Sequence, residues 1–160
     1  MKKLKLYLDT SAIGYLDEPT SPKEMDEMYR LWELLRLDAY DIAISQITLD
    51  EITDNKNSEK VDTLLNFINE INYQKIELTE PAMRIANLVA KTGVLDEKHR
   101  NDRLHIGCAI ESSCDVLVSL NFKHLVNVRT IRGIRGIALM EGYGNIDIVT
   151  PSALLQGGDE

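Results

Sequence analysis

Hydrophobic and polar positions along the 160-residue chain fall into short apolar runs separated by segments with apolar residues three and four apart. The short runs predict β-strands at residues 4–8, 40–45, 74–78, 115–120 and 146–149. The three-and-four spacing predicts helices at 23–37, 46–53, 61–68, 81–92 and 100–113, and a further helix within 121–142. Strands that alternate with helices predict an α/β fold in which helices cover both faces of a mostly parallel sheet.

The chain predicts one domain over residues 1–155, followed by a short polar tail at 156–160, because no linker, repeat or low-complexity segment interrupts it. The apolar run at 4–8 contains Lys5 and ends at Asp9, so we expect neither a signal peptide nor a membrane span. Cys108 and Cys114 match no metal-ligand spacing, and we expect reduced core thiols in a cytoplasmic protein.

The charge balance narrows the possible functions. Eighteen Lys and Arg against 26 Asp and Glu give a formal net charge of −8. This excludes a polybasic nucleic-acid coat, since affinity for phosphates then depends on clustered cations. It leaves open phosphate chemistry through a bound divalent cation, because the carboxylates that hold such a cation are themselves acidic.

Ligands of open parallel sheets bind at the carboxyl ends of the strands, which directs attention to four residues. Asp9 follows the first predicted strand and Asn121 the fourth, while Glu51 lies in the short helix after the second. Asp102 opens the helix at 100–113, where the positive end of the helix dipole favours a carboxylate. We expect these side chains to meet at one edge of the sheet.

Each of the four also has a purely structural interpretation. Asp9 could cap a helix, and Thr48-x-x-Glu51 fits a capping box. Asp102 could serve only its helix, and Asn121 could be a turn residue. His105, three residues after Asp102, shares its helix face and could be either packed or functional.

Together, the segments around these residues resemble the PIN-domain family, including VapC-type toxin ribonucleases. The segments are Leu-Tyr-Leu-Asp9-Thr-Ser, the stretch around Glu51, Asn-Asp102-Arg-Leu-His-Ile-Gly-Cys-Ala and Asp-Val-Leu-Val-Ser119-Leu-Asn121. The resemblance runs from about residue 6 to residue 151. It implies a three-layer α/β/α fold and endoribonuclease activity that depends on Mg²⁺ or Mn²⁺. It maps the four acidic positions of the family onto Asp9, Glu51, Asp102 and Asn121.

The resemblance gives each residue an expected role. Asp9 and Asp102 would be the principal metal ligands and Glu51 a direct or water-mediated one, and these three carboxylates would carry catalysis by a metal-activated water. Asn121 is a departure, because the family usually has Asp there, and it weakens the second metal position. Supporting or substrate-binding roles fall to Ser119, His105 and Arg103, with His124 another candidate for substrate contact or proton transfer.

Two functions remain in competition. The first is a metal-dependent ribonuclease that acts on RNA as the toxin of a type II toxin–antitoxin system, with an antitoxin protein as partner and a homodimer as its expected state. The second is a degenerate PIN-like binding or scaffold module, in which Asn121 marks lost catalysis. Retention of Asp9, Glu51 and Asp102 favours the first.

Other motifs point to weaker alternatives. A phosphoacceptor receiver needs an acidic pair after the first strand and a haloacid-dehalogenase-type phosphatase needs Asp-x-Asp, whereas this chain has Asp9-Thr10-Ser11. No Walker or Gly-x-Gly-x-x-Gly fingerprint is present, and the Gly-x-x-Gly at 133–136 lacks the context of a backbone-clamping loop. Arg129, Arg132 and Arg135 form a basic stripe at helical spacing, which predicts either an RNA contact or an ordinary exposed face.

Overall fold

A computed structural model describes residues 2–156, with Glu97 and Gln156 described by their backbone alone. This part of the chain forms eight α-helices and five strands, with one or two α-helices after each strand. Short 3₁₀ helices lie at Tyr15–Asp17 and Glu97–His99. The order is β1 Lys5–Leu8, α1 Thr10–Gly14, α2 Pro22–Arg36, β2 Asp41–Ser45, α3 Gln46–Thr53, α4 Ser58–Ile68, β3 Gln74–Ile76, α5 Glu80–Lys91, α6 Arg100–Glu111, β4 Val116–Val118, α7 Val128–Met140, β5 Asp147–Val149 and α8 Pro151–Gln156.

The five strands form one sheet in the order β3-β2-β1-β4-β5, and every neighbouring pair is parallel. The α/β class predicted from the sequence is therefore confirmed. In the centre of the sheet Tyr7 of β1 is level with Ala43 of β2 and Leu117 of β4. This register brings the ends of β1, β2 and β4 to the same edge, from which the chain enters α1, α3 and the loop before α7.

Helices pack on both faces of the sheet and produce two cores. One core contains Leu6 and Leu8 of β1 beneath α2 and α4, with Trp32 fully buried in it. The other contains Tyr7 of β1 beneath α5, α6 and α7. Alternation along β1 thus sends successive side chains to opposite layers, which is the three-layer arrangement expected for a buried parallel strand.

Several elements differ from their predicted bounds. The fourth strand spans Val116–Val118 instead of 115–120, because the backbone N–H of Leu120 leaves the sheet and donates to Ser11 Oγ (2.9 Å). The helix predicted within 121–142 is α7, and it includes the Gly-x-x-Gly segment at 133–136. The sequence did not predict α8, whose first residue is Pro151.

The remaining sequence predictions concern the tail, the cysteines and the membrane. The polar tail was predicted at residues 156–160. Residue 156 is the last residue of α8, and residues 157–160 lie outside the described residues. Cys108 and Cys114 are free and buried, as predicted. Within residues 2–156 no helix is both long and apolar enough to cross a membrane.

Candidate active site

Asp9 stands at the centre of the sheet edge, directly after β1, and its side chain caps α1. Its Oδ1 accepts hydrogen bonds from the backbone N–H of Ala12 (2.9 Å) and from Ser11 Oγ (2.7 Å). The capping interpretation of Asp9 is therefore confirmed. The same two contacts fix the orientation of a carboxylate that is only 3% exposed, so capping and a functional role are compatible.

The charge of Asp9 is poorly compensated. Burial raises the pKa of this carboxyl group, while nearby His105 and the hydrogen bonds with Ser119, Ala12 and Ser11 act in the opposite direction. Asp9 forms no ion pair with any of the side chains described here. A buried carboxylate in this condition destabilises the protein unless a cation accompanies it.

Glu51 belongs to a second group of polar residues, organised around His105. Ser45 is the N-cap of α3 and accepts from Thr48 N–H, so the capping box predicted for Thr48 and Glu51 is wrong. Instead, Glu51 Oε1 lies 2.7 Å from His105 Nε2 and accepts from Thr10 Oγ1 (2.7 Å). The Glu51 side chain keeps about a third of its surface exposed at the site, at 32%.

His105 is buried and bonded on both ring nitrogens. Its Nδ1 lies 2.6 Å from the hydroxyl of Tyr7, which in turn lies 2.6 Å from Ser45 Oγ. Desolvation alone would raise the pKa of Glu51, but the hydrogen bond with His105 and the attraction between these groups lower it, helped by Thr10 and Asn101. Burial raises the pKa of Tyr7 well above its ordinary value, so the hydroxyl stays protonated and able to donate.

Asp102 and Asn121 meet on the other side of Asp9. Asp102 lies in the first turn of α6, and its Oδ2 accepts from Asn121 Nδ2 at 3.4 Å. The orientation of this amide is fixed because Asn121 Oδ1 accepts from the backbone N–H of His124 (3.2 Å). The turn interpretation of Asn121 is thus confirmed, and its amide donates toward Asp102. His99 Nδ1 also approaches Asp102 Oδ2, at 3.3 Å.

Two serines connect Asp9 with Asn121. Ser119 is fully buried, and its Oγ lies 3.3 Å from Ser11 Oγ while accepting from the backbone N–H of Asn121 (3.0 Å). Ser11 in turn donates to Asp9. The candidate active site is therefore a row of polar groups along one sheet edge, with Glu51 and His105 at one end and Asp102 and Asn121 at the other.

Arg103 and two of the three arginines of the basic stripe bond to other groups of the chain. Arg103 is buried, and its guanidinium donates to the carbonyl of Asp96, which holds the 3₁₀ segment against α6. On α7, Arg135 pairs with Asp147 and Arg129 reaches the carbonyl of Gly93 (3.5 Å), while Arg132 is exposed. The substrate role of Arg103 stays a prediction.

Sequence reasoning missed the residues that orient the carboxylates. Tyr7, Thr10, Ser11 and Asn101 contribute hydrogen bonds, but a single tyrosine in an apolar strand gives no sequence signal of a polar partner. His99 was likewise assigned no role from the sequence. Its contact with Asp102 follows from the i, i+3 spacing across the start of α6, which is the one signal that was available.

The donor chemistry of the site suits a hard divalent cation. Carboxylate and amide oxygens are the ligands that Mg²⁺ and Mn²⁺ prefer, and buried Asp9 forms no ion pair with the described side chains. However, no three His, Cys, Asp or Glu side chains within the described part of the chain are grouped so that they could bind one ion. The oxygen ligands at this edge are therefore of the type that such an ion binds, but the carboxylates do not surround a single point.

Neither family models nor curated proteins give a match to this chain. Solved structures do. One is a chain of VapBC2 from Rickettsia felis, in a structure of VapBC2 bound to a DNA fragment from its promoter. It superposes with a TM-score of 0.58 and 20% sequence identity, and the superposition covers 92% of this chain and 98% of that one. A chain of VapBC-1 from nontypeable Haemophilus influenzae superposes with a TM-score of 0.56 and 18% sequence identity. The superposition covers 93% of this chain and 99% of that one. The predicted PIN-like fold is confirmed, with sheet order β3-β2-β1-β4-β5.

Proposed function

We propose that this chain is a metal-dependent endoribonuclease that hydrolyses RNA phosphodiester bonds. The observation that carries the proposal is the position of Asp9: a buried carboxylate that forms no ion pair with the described side chains, at the carboxyl edge of a PIN-like sheet. Glu51, Asp102 and Asn121 line the same edge. This is where ligands of open parallel sheets bind.

Asp9 and Asp102 would hold a Mg²⁺ or Mn²⁺ ion, with Glu51 as a third, direct or water-mediated ligand and Asn121 as a weaker amide ligand. Such an ion lowers the pKa of a bound water and neutralises charge that develops on phosphate oxygens. The other residues act on these ligands. Ser11 and the Ala12 N–H orient Asp9, and His105 orients Glu51.

The decisive experiment is cleavage of RNA by metal-stripped protein, with and without added Mn²⁺ or Mg²⁺. Asp102→Asn removes one carboxylate while keeping the size of the side chain, and we expect it to abolish cleavage. Asp50→Asn is the matched control, because Asp50 neighbours Glu51 on α3 but is exposed, and its side chain bonds to no described residue other than Gln46. Metal-dependent cleavage by Asp50→Asn and none by Asp102→Asn would support the proposal. Equal cleavage by both variants would reject it.

We further propose that the chain is the toxin of a type II toxin–antitoxin pair, acting in the cytoplasm. The support is the likeness of fold to chains of two structures named VapBC. An antitoxin protein would then bind and inhibit it, and the chain would form a homodimer. Growth arrest on expression, relieved by the product of a neighbouring gene, tests the pairing. Light scattering of the purified chain tests the dimer.

One observation favours the second candidate, a binding or scaffold module without catalysis. Asn121 presents its Nδ2 to Asp102, and its oxygen is already engaged by the backbone of His124. An amide held in this orientation restrains Asp102 instead of adding a ligand. RNA binding without any metal-dependent cleavage, in protein free of copurified inhibitor, would favour this candidate.

A further inference from the structure

Two segments of the chain are joined beside Asp102, at one end of the candidate active site. The rings of His99, at the start of α6, and His124, in the loop after β4, are in tilted contact, with centroids 3.9 Å apart and an angle of 43° between their planes. His99 Nδ1 lies 3.3 Å from Asp102 Oδ2, and the His124 backbone donates to Asn121 Oδ1. The ring pair thus adjoins two residues of the candidate site.

The loop that carries His124 is held in place by its own hydrogen bonds. Thr130 Oγ1 donates to the carbonyl of His124 (2.9 Å), and Asn127 caps α7 by accepting from Thr130 N–H. Buried Leu125 anchors the same loop in the core. The ring pair is nevertheless accessible, because His124 is half-buried and the His99 side chain keeps 21% of its surface exposed.

Three cations flank the ring pair in the sequence. Lys98 and Arg100 bracket His99, and Lys123 precedes His124. All three side chains are exposed, and none bonds to another side chain that the structure describes. Residues 98–135 contain seven Lys and Arg against three Asp and Glu, whereas the whole chain contains 18 against 26. Two of the seven, Arg103 and Arg135, are bonded to the Asp96 carbonyl and to Asp147. The carboxylates of Asp96 and Asp102 lie 3.9 and 3.3 Å from the His99 ring nitrogens. The exposed positive charge next to the ring pair in the sequence is therefore that of Lys98, Arg100 and Lys123.

We propose that His99, His124, Lys98, Arg100 and Lys123, here called the imidazole platform, bind one unpaired RNA strand next to Asp102. Bases stack on aromatic rings without regard to sequence, and lysine and arginine attract the phosphates between them. A duplex hides its base faces, so the platform selects an unpaired strand. The identity of the ligand as RNA rests on the proposed function. The position of the platform rests on the contacts of His99 and His124.

The test measures binding of a fluorescent single-stranded RNA to the full chain in EDTA, so that cleavage does not interfere. We expect His124→Ala to weaken binding about 5- to 150-fold, the range found when a stacking aromatic is truncated. His124→Phe keeps a ring and retains affinity within about threefold. The Lys98→Ala/Lys123→Ala variant reduces the slope of log K against log salt by about 1.4, because two contacts with single-strand phosphates are lost.

A Lys56→Ala/Lys75→Ala variant is the matched control. It removes the same charge from two exposed lysines, and Lys75 lies on β3, which β2 and β1 separate from β4. Thermal melting of every variant checks that it is folded. Equal affinities of His124→Ala, the platform lysine variant and the control would overturn the proposal, and so would tighter binding of the duplex.

Cleavage assays with Mn²⁺ separate this proposal from the proposed function. If RNA binding depends on the platform but no metal-dependent cleavage occurs, the platform stands and the nuclease proposal fails. If cleavage occurs and the platform variants leave KM unchanged, the nuclease proposal stands and the platform is overturned.

Discussion

His105 Nε2 lies 2.7 Å from Glu51 Oε1, and this hydrogen bond ties the middle of α6 to α3 across the sheet edge. The far side of the imidazole is bonded to the Tyr7 hydroxyl (2.6 Å), so the ring is fixed from β1 as well. A carboxylate accepts and cannot donate, which assigns the proton on Nε2 to this bond. His105 thus restricts Glu51 to one orientation at the candidate site.

His105→Gln removes this restraint, and we expect two separate effects. The free energy of unfolding falls by about 1–3 kcal/mol, because a buried polar network loses partners. The affinity for Mn²⁺ falls about 10- to 100-fold, as is usual when a group that orients a metal ligand is removed. Denaturant unfolding measures the first effect and calorimetric titration of metal-stripped protein the second.

Tyr73→Phe is the control for loss of a polar atom, because the Tyr73 hydroxyl has no hydrogen bond to a described residue. It should leave both quantities unchanged. If His105→Gln loses stability but binds Mn²⁺ as wild type does, His105 supports only the fold.

Asp9 gives a pH dependence opposite to that of most carboxylates. Because burial raises its pKa, the stability gained from the neutral form is complete below the ordinary value of 3.8 and is lost as the pH rises through the folded pKa. We therefore expect metal-stripped Asp9→Asn to be more stable than wild type at neutral pH. The difference should shrink as the pH falls toward 3.8. Glu51, whose lowered pKa acts in the other direction, is present in both chains and cancels.

Urea unfolding at several pH values checks this prediction, with Asp62→Asn as the control for removing an exposed charge. Added Mn²⁺ should reverse the order, since a ligand stabilises only the chain that binds it. A wild-type chain that is more stable than Asp9→Asn at neutral pH without metal would contradict the prediction.

The sequence predicted the sheet and the location of the site more fully than the internal organisation of that site. Apolar strands and the rule about carboxyl ends predicted that Asp9, Glu51, Asp102 and Asn121 meet at one edge. In the structure they lie along that edge, but no three carboxylates of the described residues form one cluster. The sequence could not predict which atom donates and which accepts in each hydrogen bond of the site. Whether an amide presents its oxygen or its nitrogen to a neighbour depends on the backbone of His124, which only the folded loop supplies.

The close packing of α5 against α6 could not be predicted from the sequence either. Gly107 on α6 faces α5 so closely that a Cβ there would lie 2.2 Å from the carbonyl oxygen of Ala82. This is a backbone atom and cannot rotate away. In the sequence, the same glycine is an ordinary interruption of a helical pattern.

Gly107→Ala should therefore force α5 and α6 apart and lower the free energy of unfolding by about 1–3 kcal/mol or more. Gly136→Ala on α7 is the matched control, because its Cβ would meet no atom within 4 Å. There the better helix propensity of alanine should raise stability by up to about 1 kcal/mol. Chemical unfolding of the two variants measures both changes, and equal stabilities would contradict the close approach of α5 and α6.

Asn121→Asp tests how the departure from the family pattern affects the site. In metal-stripped protein the new carboxylate would face Asp102 where the amide now donates at 3.4 Å, so repulsion replaces a hydrogen bond. We expect a lower melting temperature without metal. With Mn²⁺ the added negative ligand should instead tighten binding, because charge increases the affinity of an oxygen site for a divalent cation.

Asn57→Asp introduces the same charge at the exposed N-cap of α4, where Asn57 Oδ1 accepts from Lys60 N–H. Aspartate is as good an N-cap as asparagine, so this control should keep the melting temperature of wild type and its Mn²⁺ affinity. Calorimetric titration of the three proteins compares their affinities. If Asn121→Asp melts at the wild-type temperature without metal and binds Mn²⁺ no more tightly, then the side chain at 121 belongs to the turn and not to the metal site. Tighter binding by Asn121→Asp alone would instead place position 121 within reach of the ion, and would make the wild-type asparagine the reason for a weaker second metal position.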